Sequence, residues 1–273
     1  MELSHEIAVA ERLAREAAAI VAGYFGTGIK VEYKPGEGPV TQADREADAL
    51  IGRGLRAAFP DDGLLTEETP DDGSRRTRER VWMVDPLDGT ADFVRGRTGF
   101  AVMIGLCVAG RPVLGVVLQP TSGVLYRATA GQGAVEVGPD GRVRRLQVSS
   151  VDDPAEARLV ASKSHRDEAI DRVRAALHIH DELNVGSVGL KLGLIARGER
   201  DLYVNPASHA SLWDTCGPEA ILAEAGGRIS DLDGAPLDYL GASPRHTRGL
   251  VASNGRLHGA VLEKLRPLFS RGG

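Results

Sequence analysis

Val81-Trp82-Met83-Val84-Asp85-Pro86-Leu87-Asp88-Gly89-Thr90 decides how this chain is read. The apolar run Val81 to Val84 predicts a buried strand. It ends abruptly in acids and turn residues. Pro86 fixes φ and donates no hydrogen bond. Gly89 tolerates backbone conformations that a side chain forbids. Such a turn can aim Asp85 and Asp88 at one point and leave the Leu87 carbonyl free beside them. Three hard oxygen donors in so short a span suit Mg²⁺. Thr90 follows where a helix or turn can begin, and N–H groups at a helix start attract phosphate. A polar turn at a strand end draws on the same residue types, so the rest of the chain has to choose between the two readings.

At 273 residues, 42% hydrophobic and 26% charged, the chain can bury a full core, as one large domain or two packed halves. A net charge of -5 argues against binding a nucleic-acid polymer. No apolar run approaches the roughly 20 residues that span a bilayer, and the amphipathic N-terminus does not read as a signal peptide. Cys107 and Cys216 are far apart and lack metal-ligand spacing, which fits reduced, packed thiols in a cytoplasmic protein. The sequence leaves oligomeric state open, a homodimer included.

Helical spacing runs from Leu3 to Tyr24. Ile29 to Tyr33 predicts a short strand, and Lys34 to Pro39 a flexible loop. Thr41 predicts an N-cap for a helix reaching about Phe59, with Asp44 in its first turn. Alone, Asp44 is explained by the helix dipole. Leu64-Leu65 is a short strand ended by Thr66-Glu67-Glu68-Thr69. Beyond Phe93, apolar runs at Gly99 to Val108, Pro112 to Leu118, Gly123 to Ala130 and Gly133 to Val137 predict an antiparallel sheet. Asp152-Asp153-Pro154 is the expected boundary. It divides an α+β half, residues 1–150, from an α/β half, residues 151–273.

The second half alternates strands and helices, which implies helices layered over a sheet. Lys163-Ser164-His165-Arg166 follows a strand and precedes a helix, which suits an anion site or plain surface polarity. Ser187 starts the helix Val188 to Ala196. Inside it Lys191 either snorkels to solvent or points into a cleft. Asp214 begins a helix and reads by itself as an N-cap. The remaining histidines show no ligand spacing and read as surface residues.

Val40-Thr41-Gln42-Ala43-Asp44, Thr66-Glu67-Glu68, Trp82 to Phe93 and Leu212-Trp213-Asp214, with Ala225-Gly226-Gly227 downstream, resemble in order and spacing the inositol monophosphatase superfamily. The resemblance covers the chain to about Asn254. It implies a layered α-β-α-β-α sandwich, α/β (α+β) in class, and a Mg²⁺-dependent, lithium-sensitive phosphatase. Ala161 to Arg166, Gly186 to Lys191 and Asp201-Leu202-Tyr203 are similar to the bacterial 3′(2′),5′-bisphosphate nucleotidases. These hydrolyse adenosine 3′,5′-bisphosphate, a by-product of sulfate activation, to AMP. One departure is Asn205, where that branch often carries a phosphate-binding arginine, so inositol or sugar phosphates stay open as substrates.

The resemblance places Glu67, Asp85 and the Leu87 carbonyl on one metal and Asp85, Asp88 and Asp214 on a second. About two to three Mg²⁺ ions are implied in all. Asp44, Thr90 and Glu67 are implied in catalysis, with Thr90 and Asp44 activating a water. Gly89 and Thr90 N–H groups would hold phosphate. Asp88, Asp214, Ser164, His165 and Lys191 complete the implied contacts to a small phosphorylated substrate.

Overall fold

Side chains alternate across a strand, and here both faces of each large sheet carry apolar residues. In the computed structural model, which describes residues 2–34, 38–162, 168–206 and 210–269, that alternation sorts the core into three clusters. The helices are α1 Ser4–Tyr24, α2 Gln42–Ala58, α3 Thr90–Val94, α4 Glu168–Leu177, α5 Val188–Ala196, α6 Leu212–Glu224 and α7 His258–Phe269. The strands are β1 Val31–Lys34, β2 Gly38–Thr41, β3 Gly63–Thr66, β4 Arg80–Asp88, β5 Ala101–Val108, β6 Arg111–Leu118, β7 Leu125–Thr129, β8 Gly133–Val137 and β9 Val143–Arg145. The second half adds β10 Leu159–Ser162, β11 Glu182–Val185, β12 Leu202–Asn205, β13 Arg228–Ser230 and β14 Leu250–Ser253.

Strands β3 to β9 form one seven-stranded sheet in sequence order, antiparallel except for the β3–β4 pair. The second sheet runs β11-β10-β12-β14-β13, parallel at β11-β10-β12 and antiparallel beyond. Trp82, Val84, Ile104 and Val116 pack with Leu13, Ile51 and Leu55 of α1 and α2. The opposite face, Met83, Met103 and Val117, packs with Leu192 and Ile195 of α5 and Cys216 and Ile221 of α6. Val160, Tyr203 and Ala252 of the second sheet join that same cluster. Their neighbours Leu159, Leu202 and Val251 point the other way, onto Val173 of α4 and Val261 and Leu265 of α7. The order of layers is therefore α1/α2, first sheet, α5/α6, second sheet, α4/α7. A strand buried on both faces reads as an unbroken apolar run, which is why β5 and β6 are legible.

Several boundaries differ from the sequence reading. Residues 38–41 pair with β1 as a hairpin instead of continuing a loop. Strand β9 carries one apolar residue, Val143, too short a signal to predict a strand, and all three of its residues are exposed at the sheet edge. Helix α6 begins two residues before Asp214. His246 and His258 are buried, not on the surface. Ser230 and Ser253 bond His258, and Thr215 bonds His246. Cys107 and Cys216 are buried free thiols, and burial pushes Cys107 up to about 12. No helix among the described residues is long and apolar enough to cross a membrane.

Candidate active site

Strand β4 does not stop at Val84. It runs on through Asp88, and its register against β5 slips between the pairs Asp85–Met103 and Asp88–Ala101. One extra residue on β4 makes a bulge, which re-aims side chains without ending the pairing. Leu87 is fully buried against the helix layer, and that anchors the continued strand. Leu87 N–H donates to Asp85 Oδ1 at 2.9 Å. Gly89 follows at φ 96°, where a side chain would also strike the Gly99 carbonyl at 2.6 Å.

Thr41 caps α2, as its position predicts. Its N–H and hydroxyl both donate to Asp44 Oδ2, at 2.8 and 2.6 Å, in a capping box. That leaves Asp44 Oδ1 for the Thr90 hydroxyl at 3.1 Å, with the Leu87 carbonyl as its second acceptor at 3.0 Å. Asp44 is thus a cap and a partner of Thr90 at once. Burial pushes its carboxyl up, against the pull of the Thr41 and Thr90 donors.

Asp214 is not an N-cap. Ser211 is, and Asp214 is the third residue of α6, accepting Ser211 N–H at 2.7 Å. Helix α6 lies close on the first sheet because three glycines meet there. A methyl on Gly115 would overlap the Gly217 carbonyl, and one on Gly105 would come within 2.5 Å of Gly217 N. This approach brings Asp214 to β4, where one oxygen each of Asp85, Asp88 and Asp214 lies within 4.8 Å of the others. Glu67 N–H bonds the Val84 carbonyl at 3.2 Å, beside the same end of β4.

The start of α5 completes the setting. Ser187 caps it, and the Ser187 hydroxyl and Gly189 N–H both donate to Asp88 Oδ2, at 2.5 and 3.1 Å. Neither residue stands out as a site residue in the sequence. The signal that could have found Ser187 is its place one position before a helix. Lys191 is 0% exposed, so it does not snorkel. Its ammonium donates to the Gly186 carbonyl at 2.6 Å, the Val185 carbonyl at 3.2 Å and the Ser162 hydroxyl at 3.3 Å. The lysine reads as a brace for the turn before α5, not as a cleft-facing cation. Burial pulls it down to about 8, and Asp88 and Asp214 resist that pull. Ser164 and His165, with Lys163 and Arg166, lie outside the described residues.

Burial raises the Asp85 carboxyl well above the usual range, and the charges of Glu67, Asp88 and Asp214 raise it further. Burial also raises Asp88, opposed by Lys191. Asp214 is pushed up to about 7, first by burial and then by Asp88. Buried like charges at this spacing are stable only when protonated or when a cation joins them. The donors are all hard oxygens, with no histidine or thiol among them, so the set fits Mg²⁺. Asp85, Asp88 and Asp214, with Glu67 alongside, would hold it.

The profile of the inositol monophosphatase family matches residues 2–268. The chain belongs to the inositol monophosphatase family. Its class is therefore that of a phosphatase. It is 38% identical over 231 residues to the Escherichia coli (strain K12) protein named 3′(2′),5′-bisphosphate nucleotidase CysQ, covering 84% of this chain and 91% of the relative. It is 34% identical over 268 residues to the histidinol-phosphatase of Mycobacterium tuberculosis, covering 96% and 99%. The solved inositol monophosphatase of Anabaena (Nostoc) sp. PCC 7120 superposes with a TM-score of 0.80 at 27% identity, over 98% of this chain and 97% of that one. The layered α/β fold expected from the motifs is the fold of these structures.

Proposed function

We propose that this protein is a Mg²⁺-dependent phosphatase acting on a small phosphorylated metabolite, with adenosine 3′,5′-bisphosphate as substrate and AMP and phosphate as products. The observation that carries the phosphatase chemistry is the gathering of Asp85, Asp88 and Asp214 within 4.8 Å, with the Thr90–Asp44 pair next to them at the Leu87 carbonyl between Asp85 and Asp88. The nucleotidase reading rests on the identity to the CysQ relative. It rests also on the resemblance of the stretches around Ala161, Gly186 and Asp201 to that branch. When bound, Mg²⁺ supplies positive charge for the phosphate and lowers the pKa of the attacking water.

The chain's own residues do the rest. When the Thr90 hydroxyl gives its one hydrogen to Asp44 Oδ1 in place of the Leu87 carbonyl, its lone pairs are left to accept from a water. As that water attacks, its proton passes to Thr90 Oγ1 and the Thr90 proton to Asp44 Oδ1. Burial makes Asp44 a better acceptor than an exposed aspartate. Ser187 and Gly189 hold Asp88 in one rotamer. The Gly89 and Thr90 N–H groups at the start of α3 hold the transferred phosphate. Glu67, just past the end of β3, adds its charge next to Asp85.

A sugar phosphate is the second reading. Asn205 favours it, while the histidinol-phosphatase relative, covered over 99% of its length, points to a third substrate, the phosphate ester of an amino alcohol. Phosphate release from adenosine 3′,5′-bisphosphate, inositol 1-phosphate, fructose 1,6-bisphosphate and histidinol phosphate, with Mg²⁺ and after chelation, separates these. Highest kcat/KM on the nucleotide supports the first reading. A win for any of the other three replaces it, and undiminished turnover in chelator removes the metal.

A further inference from the structure

The substrate assigned above carries a second phosphate that does not react, and the buried carboxylates around Asp88 repel it. Asn205 supplies no positive charge, and the Lys191 ammonium already serves two carbonyls and a hydroxyl. Arg97 is in a different condition. Its side chain is 43% exposed, and its NH1 lies 3.6 Å from Asp92 Oδ1. That is an ion-pair distance, longer than a hydrogen bond. Asp92 Oδ1 has no hydrogen-bond partner although Asp92 is 2% exposed. The guanidinium is therefore tethered by charge while its N–H fork stays free for a planar, oxygen-rich ligand.

Its place is fixed by the backbone. Arg97 N–H bonds the Asp92 carbonyl at 2.9 Å, and Gly96 N–H bonds Phe93 at 3.0 Å. Phe93 and Phe100 hold the loop ends edge to face at 5.2 Å, and Gln119 Nε2 donates to the Thr98 carbonyl at 2.8 Å. The loop then joins the other half, since Ser187 N–H bonds the Gly99 carbonyl at 2.9 Å. Asp92 lies in this seam. A Cβ on Gly99 or on Gly186 would collide with its Oδ2. Gly186 is followed directly by Ser187, which holds Asp88. Asp92 thus ties an exposed arginine to the edge of the reaction centre.

We propose that Arg97 is a specificity-determining residue that receives the second, non-reacting phosphate of a nucleoside bisphosphate; this rests on the nucleotidase reading above. Asp92 is its positioning residue. Arg97 reaches the phosphate bidentately and stays partly solvated.

The test compares adenosine 3′,5′-bisphosphate with adenosine 3′-monophosphate, which shares the scissile phosphate and lacks the second. The ratio of the two kcat/KM values is measured for the wild type, Arg97→Ala and Arg97→Lys. The expected result is a wild-type ratio well above one. It falls about tenfold in Arg97→Ala, through KM, and recovers partly in Arg97→Lys, which keeps charge without the fork. An unchanged ratio with a wild-type preference for the bisphosphate overturns the role of Arg97 alone. So does an equal loss on both substrates, which marks a structural effect. A wild-type ratio near one overturns both the nucleotidase reading and this inference.

Discussion

Asp88 would couple a bound Mg²⁺ to the fold. It accepts two hydrogen bonds from the start of α5 and faces Asp85 and Asp214. Asp88→Asn keeps an acceptor and removes one like charge. Turnover with Mg²⁺ is expected to vanish, while the melting temperature in chelator holds or rises. The wild type should gain stability on Mg²⁺ addition, about 2.7 kcal/mol at a hundredfold excess over Kd, and the variant should lose that gain. Wild-type rates in Asp88→Asn would sink the metal assignment. Thr90 and Asp44 make a second residue-level test. Thr90→Ala and Asp44→Asn should each lower kcat strongly at little change in metal affinity. Acting as one unit, they should give a double variant barely worse than either single one. Clean multiplication of the two losses would return Asp44 to its capping role alone.

Helix α6 places Asp214 because glycines meet at its closest approach to the sheet. Gly115→Ala puts a methyl into the Gly217 carbonyl. The helix must shift, and overpacking of this kind costs about 1–3 kcal/mol. A matching loss in melting temperature is expected, with weaker Mg²⁺ binding by calorimetry because Asp214 moves with the helix. Unaltered metal affinity in a destabilised variant would show that Asp214 is held by its cap instead. Much of this site could be read in the chain. Thr41, Asp44, Asp85, Asp88 and Asp214 carry turn and cap chemistry, and those residue types are selected by short-range geometry. The bulge in β4 was not legible, because Asp-Pro-Leu-Asp satisfies a turn equally well and only the burial of Leu87 decides. Lys191 misled for a related reason. Its acceptors are two carbonyls of the preceding turn and Ser162 from another strand, and backbone carbonyls leave no trace in residue identity. Ser187 and Arg97 acquire their meaning across the seam between the sheets, where sequence spacing carries no information.

At the scale of the molecule, two buried histidines set the acid limit. Burial pulls His246 and His258 down to about 4. Both are neutral in either state above pH 6.5. Below it the unfolded chain binds protons that the folded one refuses, so stability falls from pH 6.5 to about 4, by up to roughly 3 kcal/mol for each histidine. The raised carboxyls of Asp44, Asp85, Asp88 and Asp214 act in the opposite sense and the lowered one of Asp201 in the same sense, so the clean measurement is a difference. Wild type should lose stability relative to His258→Gln over that window, by melting or urea unfolding, and parallel curves would exclude the histidine. The same layered plan also sets a timetable. Asp85 and Asp88 leave the ribosome long before Ser187 and Asp214, so a half-made chain lacks the third acid of the cluster and the hydroxyl that holds Asp88. Phosphatase turnover then cannot begin on unfinished chains. During refolding, Trp82 in the first sheet and Trp213 beside Asp214 report the two halves separately. Activity should return only with the later of the two phases, making catalysis itself the readout of completed assembly.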